Sequence, residues 1–251
     1  PLITMQCISN IANPKQITKV VGTTCKPLFK SRHKVCDKLV NRIQGLIGRT
    51  SALTITGMKE TGKTTTICAV AKNLSNMGYP TTFIKAEKSL EEFTTSVLKS
   101  LGITDDIGLI SSRGEKLSWT NVSTLIEEIC DYIQTDSQYD GNIIMIDGVS
   151  SELPYLGELQ HLQRHLSERT KTVVILITAD GSDILSLKNE ARRQILTMWP
   201  FQDDALTELL TTKCNIHHED DIKKALSIIH TKYTYSLIKI ADLFVDCFID
   251  K

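Results

Sequence analysis

The sequence has no long apolar run. Its longest, such as Val173 to Ile177, reach about five residues, against the ~20 that a helix needs to cross a bilayer. A membrane-spanning protein is not expected. No basic segment followed by an apolar core opens the chain, and it starts at Pro1 rather than Met, which reads as a segment excised from a longer protein. The seven cysteines (Cys7, Cys25, Cys36, Cys68, Cys130, Cys214 and Cys247) are scattered, odd in number and never spaced C-x-x-C. That pattern argues against a disulfide framework or a zinc site and suits a reducing, cytoplasmic compartment. Internal repeats and low-complexity tracts are also missing. Net charge is absent overall, with 29 basic and 29 acidic residues.

What is present is ordinary globular composition, 41% hydrophobic and 23% charged, which excludes wholesale disorder. At 251 residues the chain sits near the upper limit for one core, so one large domain, or a large and a small one, is expected. The zero net charge hides an asymmetry. The first fifty residues hold nine Lys or Arg against one acid, Asp37, and the remainder hold 20 against 28. A basic head on an acidic body suits phosphate binding, a nucleic-acid arm, docking onto the chain's own acidic surface, or simply a solvated helix face.

Residues 1–28 lack sustained periodicity and read as an arm or linker. From Ser31, which can cap the start, Val35, Leu39, Val40, Ile43, Leu46 and Ile47 recur at helical spacing until Gly48. Ala52 to Thr56 reads as a strand, and Thr64 to Met77 as a helix ended by Gly78 and Pro80. A strand at 81–86 leads to a helix through Leu101, opened by a Ser89/Glu92 capping box. Residues 102–118 are irregular. A helix over 122–133, a strand over 142–147, a helix over 156–166, a strand over 172–178 and a fifth strand over 194–199 follow. Strands alternating with helices imply a parallel sheet covered on both faces. Beyond Pro200 only helices are expected, at 203–213, 219–230 and 235–248. The boundary near residue 200 divides an α/β domain, 29–200, from a small helical domain, 201–251.

Gly57-Met58-Lys59-Glu60-Thr61-Gly62-Lys63-Thr64 matches G-x-x-x-x-G-K-[ST] without departure. Such a string arises by chance in about one chain in a hundred of this length, and here it lies between an expected strand and an expected helix, as its mechanism requires. The loop wraps a polyphosphate with backbone N–H groups. Gly57 and Gly62 allow close approach and unusual dihedrals, and the helix start presents positive partial charge. Lys59, Glu60 and Thr61 line the loop. Lys63 reaches the β- and γ-phosphates, the Thr64 hydroxyl ligates Mg2+, and Thr65 is placed at the α-phosphate.

Such a site needs an acid on another strand to hold the magnesium shell. Asn142-Ile143-Ile144-Met145-Ile146-Asp147 ends an apolar strand with that residue. The strand and helix at 81–101 intervene between the two motifs. That favours the P-loop branch with a strand inserted between them, which includes the AAA+ ATPases. Gly148 stands where hydrolytic members of that branch carry a second acid, so no side chain there orients water. Glu152, four residues on, could substitute for that acid but reads as a loop or helix-capping residue.

Together these residues resemble the NB-ARC group of STAND ATPases, the nucleotide-binding oligomerisation module of apoptotic protease-activating factor and of immune receptors. Phe29-Lys30-Ser31-Arg32-His33 looks like the segment that opens these modules. The resemblance places Phe29, Lys30 and Arg32 at the adenine. Ile175-Leu176-Ile177-Thr178-Ala179-Asp180 looks like the L-L-T-T-R-D sensor strand, with Thr178 at the nucleotide. Met198-Trp199-Pro200-Phe201 looks like the link to the helical domain, and the stretch from Ile228 to Leu237 has the spacing of the G-x-P-L motif, with Ser236 in place of its Pro and Thr234 in place of its Gly. Ala179 replaces the sensor Arg. The resemblance covers about residues 28–250. Ile216-His217-His218-Glu219-Asp220 is read as a loop and helix start.

The resemblance implies a module that binds ATP or ADP with Mg2+ and switches the angle between two domains. It would oligomerise on activation beside effector and sensor domains outside this chain, in apoptosis or innate immunity. Nucleic acid is not expected as a partner. The alternatives are a DNA-associated AAA+ ATPase of the replication-initiator kind and a small-molecule phosphotransferase with Arg192 and Arg193 as its basic pair. With Gly148 and Ala179 in place, hydrolysis should be slow or absent, below about 0.01 per second against an enzyme median of about 10 per second. Restoring Asp at 148 and Arg at 179 together should raise it most.

Overall fold

The computed structural model describes residues 30–49, 52–59, 61–100, 118–135, 141–169, 171–183, 187, 193–198, 203–212 and 215–232. The elements in chain order are α1 (Lys30–Gln44), β1 (Ala52–Thr56), α2 (Lys63–Asn76), β2 (Thr81–Lys85), α3 (Leu90–Ser100), α4 (Trp119–Thr135), β3 (Asn142–Val149), α5 (Leu156–Arg169), β4 (Thr172–Thr178), β5 (Arg193–Thr197), α6 (Asp203–Thr212) and α7 (Glu219–Lys232). The five strands form one sheet in the order β2-β3-β4-β1-β5, with every pairing parallel. This is the P-loop NTPase fold, and β4 lies between the strand that leads into the phosphate loop and the strand that carries Asp147.

The central strands are apolar at successive positions because both their faces are covered. Ile143 and Met145 of β3 join Val173, Ile175 and Ile177 of β4 and Leu53 and Ile55 of β1 in a core under α1 and α2. The alternate residues Ile144, Ile146, Val174 and Leu176 face the opposite way, into a core with Phe93 of α3, Leu125 of α4 and Leu162 of α5. One buried polar side chain crosses the second layer. Gln163 of α5 donates to the carbonyls of Leu53 (2.8 Å) and Val174 (2.9 Å), pinning the helix across the β1–β4 pair. Helices α6 and α7 pack on each other through a separate cluster that includes Leu206, Leu210, Ala225 and Ile229, and α6 also contacts α1.

Several local expectations hold. The capping box forms reciprocally: the Glu92 amide donates to Ser89 Oγ (3.1 Å) and the Ser89 amide to Glu92 Oε2 (3.3 Å). Ile216, His217 and His218 are irregular and α7 begins at Glu219. Others need correction. Helix α1 already starts at Lys30, so Ser31 lies inside it rather than capping it. It ends at Gln44, and the buried Leu46 sits in the turns that lead to Gly48, a residue with φ 74°. β3 runs two residues past Asp147, through a bulge at Gly148, and β5 covers 193–197 rather than 194–199. Cys68, buried on α2, is disulfide-bonded, whereas Cys36 and Cys130 are free and buried. The arm over 1–28 and the helix over 235–248 lie outside the described residues. Among those described, no helix is long and apolar enough to cross a membrane.

Candidate nucleotide site

The glycine-rich loop joins the C-terminal end of β1 to the first turn of α2. Gly62 adopts the left-handed conformation (φ 78°, ψ 22°) at the N-cap of α2, and no side chain caps the helix. The first turn also carries no acid. Its N–H groups are thus left to an external acceptor, and the helix dipole favours an anion there. At the other end of the loop, Gly57 (φ 153°) is buried against β5. A Cβ built there would stand 2.5 Å from the Met198 carbonyl oxygen. The same strand end is fixed by the Met198 amide, which donates to the Thr56 carbonyl at 2.7 Å. Gly57 is required by the fold as well as by any phosphate.

Lys63 is buried, and its ammonium donates to the carbonyls of Gly57 and Met58, both at 2.6 Å. Burial pulls its pKa below the ordinary lysine value, opposed by Asp180, Asp147 and Asp183 in that order. Thr64 Oγ1 donates to Asp147 Oδ2 at 2.7 Å, bringing together two residues 83 apart in sequence. Asp147 is 8% exposed. Burial raises its pKa, against the hydrogen bonds from Thr64 and the Gly148 amide and the charges of Lys63 and Lys85. A hydroxyl and a carboxylate converging beside a lysine are the oxygen donors that Mg2+ takes when it is also held by phosphate. The residues present therefore fit a magnesium nucleotide.

The remaining residues singled out from the sequence divide into groups. Thr61 is buried and donates from its hydroxyl to the Met58 carbonyl at 3.0 Å, Lys59 is exposed, and Thr65 is half-buried on the first turn of α2. Arg32 is 7% exposed and donates to the Thr61 carbonyl at 3.1 Å; burial pulls its pKa below the ordinary arginine value, opposed by the charge of Asp204 on α6. The guanidinium braces the loop's backbone. Thr178 is fully buried, and its hydroxyl bonds the Thr56 hydroxyl at 3.0 Å, tying the ends of β1 and β4. Lys30 is the first residue of α1; Phe29, Glu60 and Ser236 lie outside the described residues.

Two residues that the sequence did not single out complete the crevice. Asp183 is 8% exposed. Its Oδ1 accepts from the Ser151 amide (3.0 Å) and hydroxyl (3.2 Å), and its Oδ2 accepts from the Asp180 amide (2.7 Å). Gly181 rests against the phosphate loop, its missing Cβ 3.6 Å from the Gly57 carbonyl carbon. The string Asp180-Gly181-Ser182-Asp183 is legible as a turn. Nothing local says that it reaches Ser151. Gly148 has φ 84°, so its position favours glycine for backbone reasons, independently of any lost carboxylate.

No family model and no curated sequence matches the chain. Solved structures match its fold. The Aeropyrum pernix ORC1 protein in complex with DNA aligns with TM-score 0.59 and 14% identity over 92% of this chain and 62% of its own. Drosophila ORC bound to DNA aligns with TM-score 0.57 and 14% identity over 93% and 59%. A Pyrococcus horikoshii STAND protein with a tetratricopeptide repeat sensor gives 0.51 and 13% over 88% and 30%. The chain thus spans about three fifths of the first two and under a third of the last. Both the initiator-type and the STAND-type proteins share the fold, which gives no ground for excluding nucleic acid as a partner.

Proposed function

We propose that this chain binds adenine nucleotide, ATP or ADP, with Mg2+, and that the bound nucleotide sets how the helical part, from about residue 201, sits on the α/β part, 29–200. The observation that carries this reading is the convergence of Thr64 and Asp147 at 2.7 Å at the mouth of a complete phosphate loop. Lys63 would exchange its two loop carbonyls for β- and γ-phosphate oxygens, Thr64 and Asp147 would hold the metal, and the uncapped first turn of α2 would receive the phosphate chain. When bound, the metal supplies charge neutralisation to the phosphates. Arg32 supports the coupling, because it bonds the loop at Thr61 and feels the charge of Asp204 on α6. A change in the loop therefore has a path to the helical part through one side chain.

Assembly controlled by that angle, as in the STAND group, is the reading we favour for the whole protein, with the site acting as a switch and hydrolysing slowly. A DNA-associated role of the initiator kind is the second reading. It is favoured by the exposed Lys34, Lys38 and Arg42, four residues apart along α1 within the basic head, and by the DNA-bound neighbours of the same fold. Calorimetry with Mg·ADP and Mg·ATP on wild type and Lys63→Ala tests the common core. Equal affinities in the two proteins would refute it. Salt-dependent binding to duplex DNA separates the second reading from the first.

A further inference from the structure

Helices α4 and α5 cover the face of the sheet opposite α1 and α2, and a groove of about 560 Å³ opens between them. That is the size of a small-ligand site, about 300–1,000 Å³. The two helices run side by side in the same direction. At the start of α4 the Trp119 ring stacks on Tyr155, just before α5, with centroids 5.9 Å apart. Eight residues further along α4, about 12 Å, Glu127 Oε1 faces His165 Nε2 at 3.4 Å. The lining chooses among ligands. Glu127 and Glu158 bring carboxylates and no Lys or Arg lines the groove, so an anion finds no partner there, and an uncharged ligand would strip water from the carboxylates without replacing it. Among the described residues no group of three His, Cys, Asp or Glu could hold a metal ion. His161 and His165, whose near-parallel rings have centroids 6.3 Å apart, are therefore read as ring faces rather than as a chelate. Carboxylates beside aromatic rings suit a guanidinium, whose flat fork pairs with a carboxylate while its faces stack.

Two further observations point to a site that is open and prepared. Trp119 is held by Phe93 as well as Tyr155, with centroids 6.1 Å apart, and the Tyr155 hydroxyl donates to the Glu87 carbonyl, so the indole is fixed before any ligand arrives. Gly157 lies in the first turn of α5 without a positive φ, and a Cβ there would meet nothing within 4 Å. Neither conformation nor packing calls for glycine, the poorest helix former after proline. Its missing side chain keeps the groove clear beside Glu158. We propose that this groove is a second ligand site, which takes a guanidinium between the Trp119 ring and the Glu158 carboxylate. The site does not depend on the nucleotide reading above, since none of the residues that line it belongs to the phosphate loop or its magnesium donors.

The test is calorimetry of the full chain at low salt with acetyl-arginine amide, and with acetyl-lysine amide as the matched ammonium. The arginine compound should bind at least about fivefold more tightly. Glu158→Gln, a change at an exposed position, should weaken it about tenfold, the scale of a lost hydrogen bond to a charged group. Gly157→Leu should fill the groove and abolish binding while the melting temperature holds or rises; a purely structural glycine would lower it. The tripeptide acetyl-Gly-Arg-Gly-amide separates the sources of the guanidinium. Tighter binding than that of the simple amide identifies an arginine of a partner chain, binding no tighter identifies a small molecule, and both uphold the site. No binding of either arginine compound to the wild type, equal binding of the lysine compound, or affinities unmoved by both variants overturns the proposal.

Discussion

The two walls of the crevice are built differently. On the β1–α2 side, backbone geometry dominates: two glycines with positive φ, an uncapped helix start and a lysine bonded to loop carbonyls, all within residues 57–64. On the β3–β4 side, a long-range side-chain network does the work, with Asp183 reaching across 32 residues to Ser151 and Gly148 bulging the strand behind Asp147. The first wall matches a general phosphate-binding pattern and the second does not. The difference shows that one side of the site rests on short-range backbone geometry and the other on contacts between residues distant in sequence.

The largest expected effect breaks the first wall. Gly57→Ala drives a Cβ to within 2.5 Å of the Met198 carbonyl, a backbone atom that cannot step aside, and should cost about 3 kcal/mol by chemical denaturation. Gly148→Ala meets nothing closer than 3.8 Å and bears only the penalty of its positive φ, about 1 kcal/mol. Equal losses at the two glycines would erase the contrast. Next comes Lys63→Ala, which should weaken Mg·ADP binding at least about tenfold, or about 1.4 kcal/mol.

Gly148→Asp probes the β3–β4 side. A second acid at 148 was expected from sequence to raise turnover. With φ 84° at that position a carboxylate would enter strained and off the strand's geometry. The variant should lose about 1 kcal/mol of stability and show no gain in single-turnover hydrolysis. The smallest effect concerns Asp147→Asn. Burial raises the folded-state pKa of Asp147 above its unfolded value, so between those two values the folded chain binds more protons than the unfolded one, and stability falls as pH rises. The penalty is complete above the folded pKa and is relieved below it. Asp147→Asn should therefore melt slightly higher than wild type at neutral pH, lose that part of the pH dependence, and bind Mg·nucleotide more weakly. A lower melting temperature in a series of pH-controlled scans would contradict this.

Much of this architecture was readable from the sequence because its signals are local. β1 and β4 have the bounds that their apolar runs imply, and the Ser89/Glu92 box forms as its spacing requires. The errors arose where tertiary contacts override local pattern. β5, an edge strand, ends earlier than its apolar residues suggest, and Met198 is diverted to cover Gly57. Thr178 and Arg32, which their motifs liken to nucleotide-contacting residues, bond Thr56 and the Thr61 carbonyl, partners that no local pattern announces.

The phosphate loop, the apolar strand ending in Asp147 and the alternation of strands and helices follow from local sequence, since each depends on residues within one element's length of one another. The place of β4 between β1 and β3, the meeting of Thr64 with Asp147 and the bonding of Asp183 to Ser151 come from long-range packing. Strand order and cross-loop hydrogen bonds depend on which apolar faces pack together across the whole sheet. A turn such as 180–183 carries no information about the partner that this packing will bring to it.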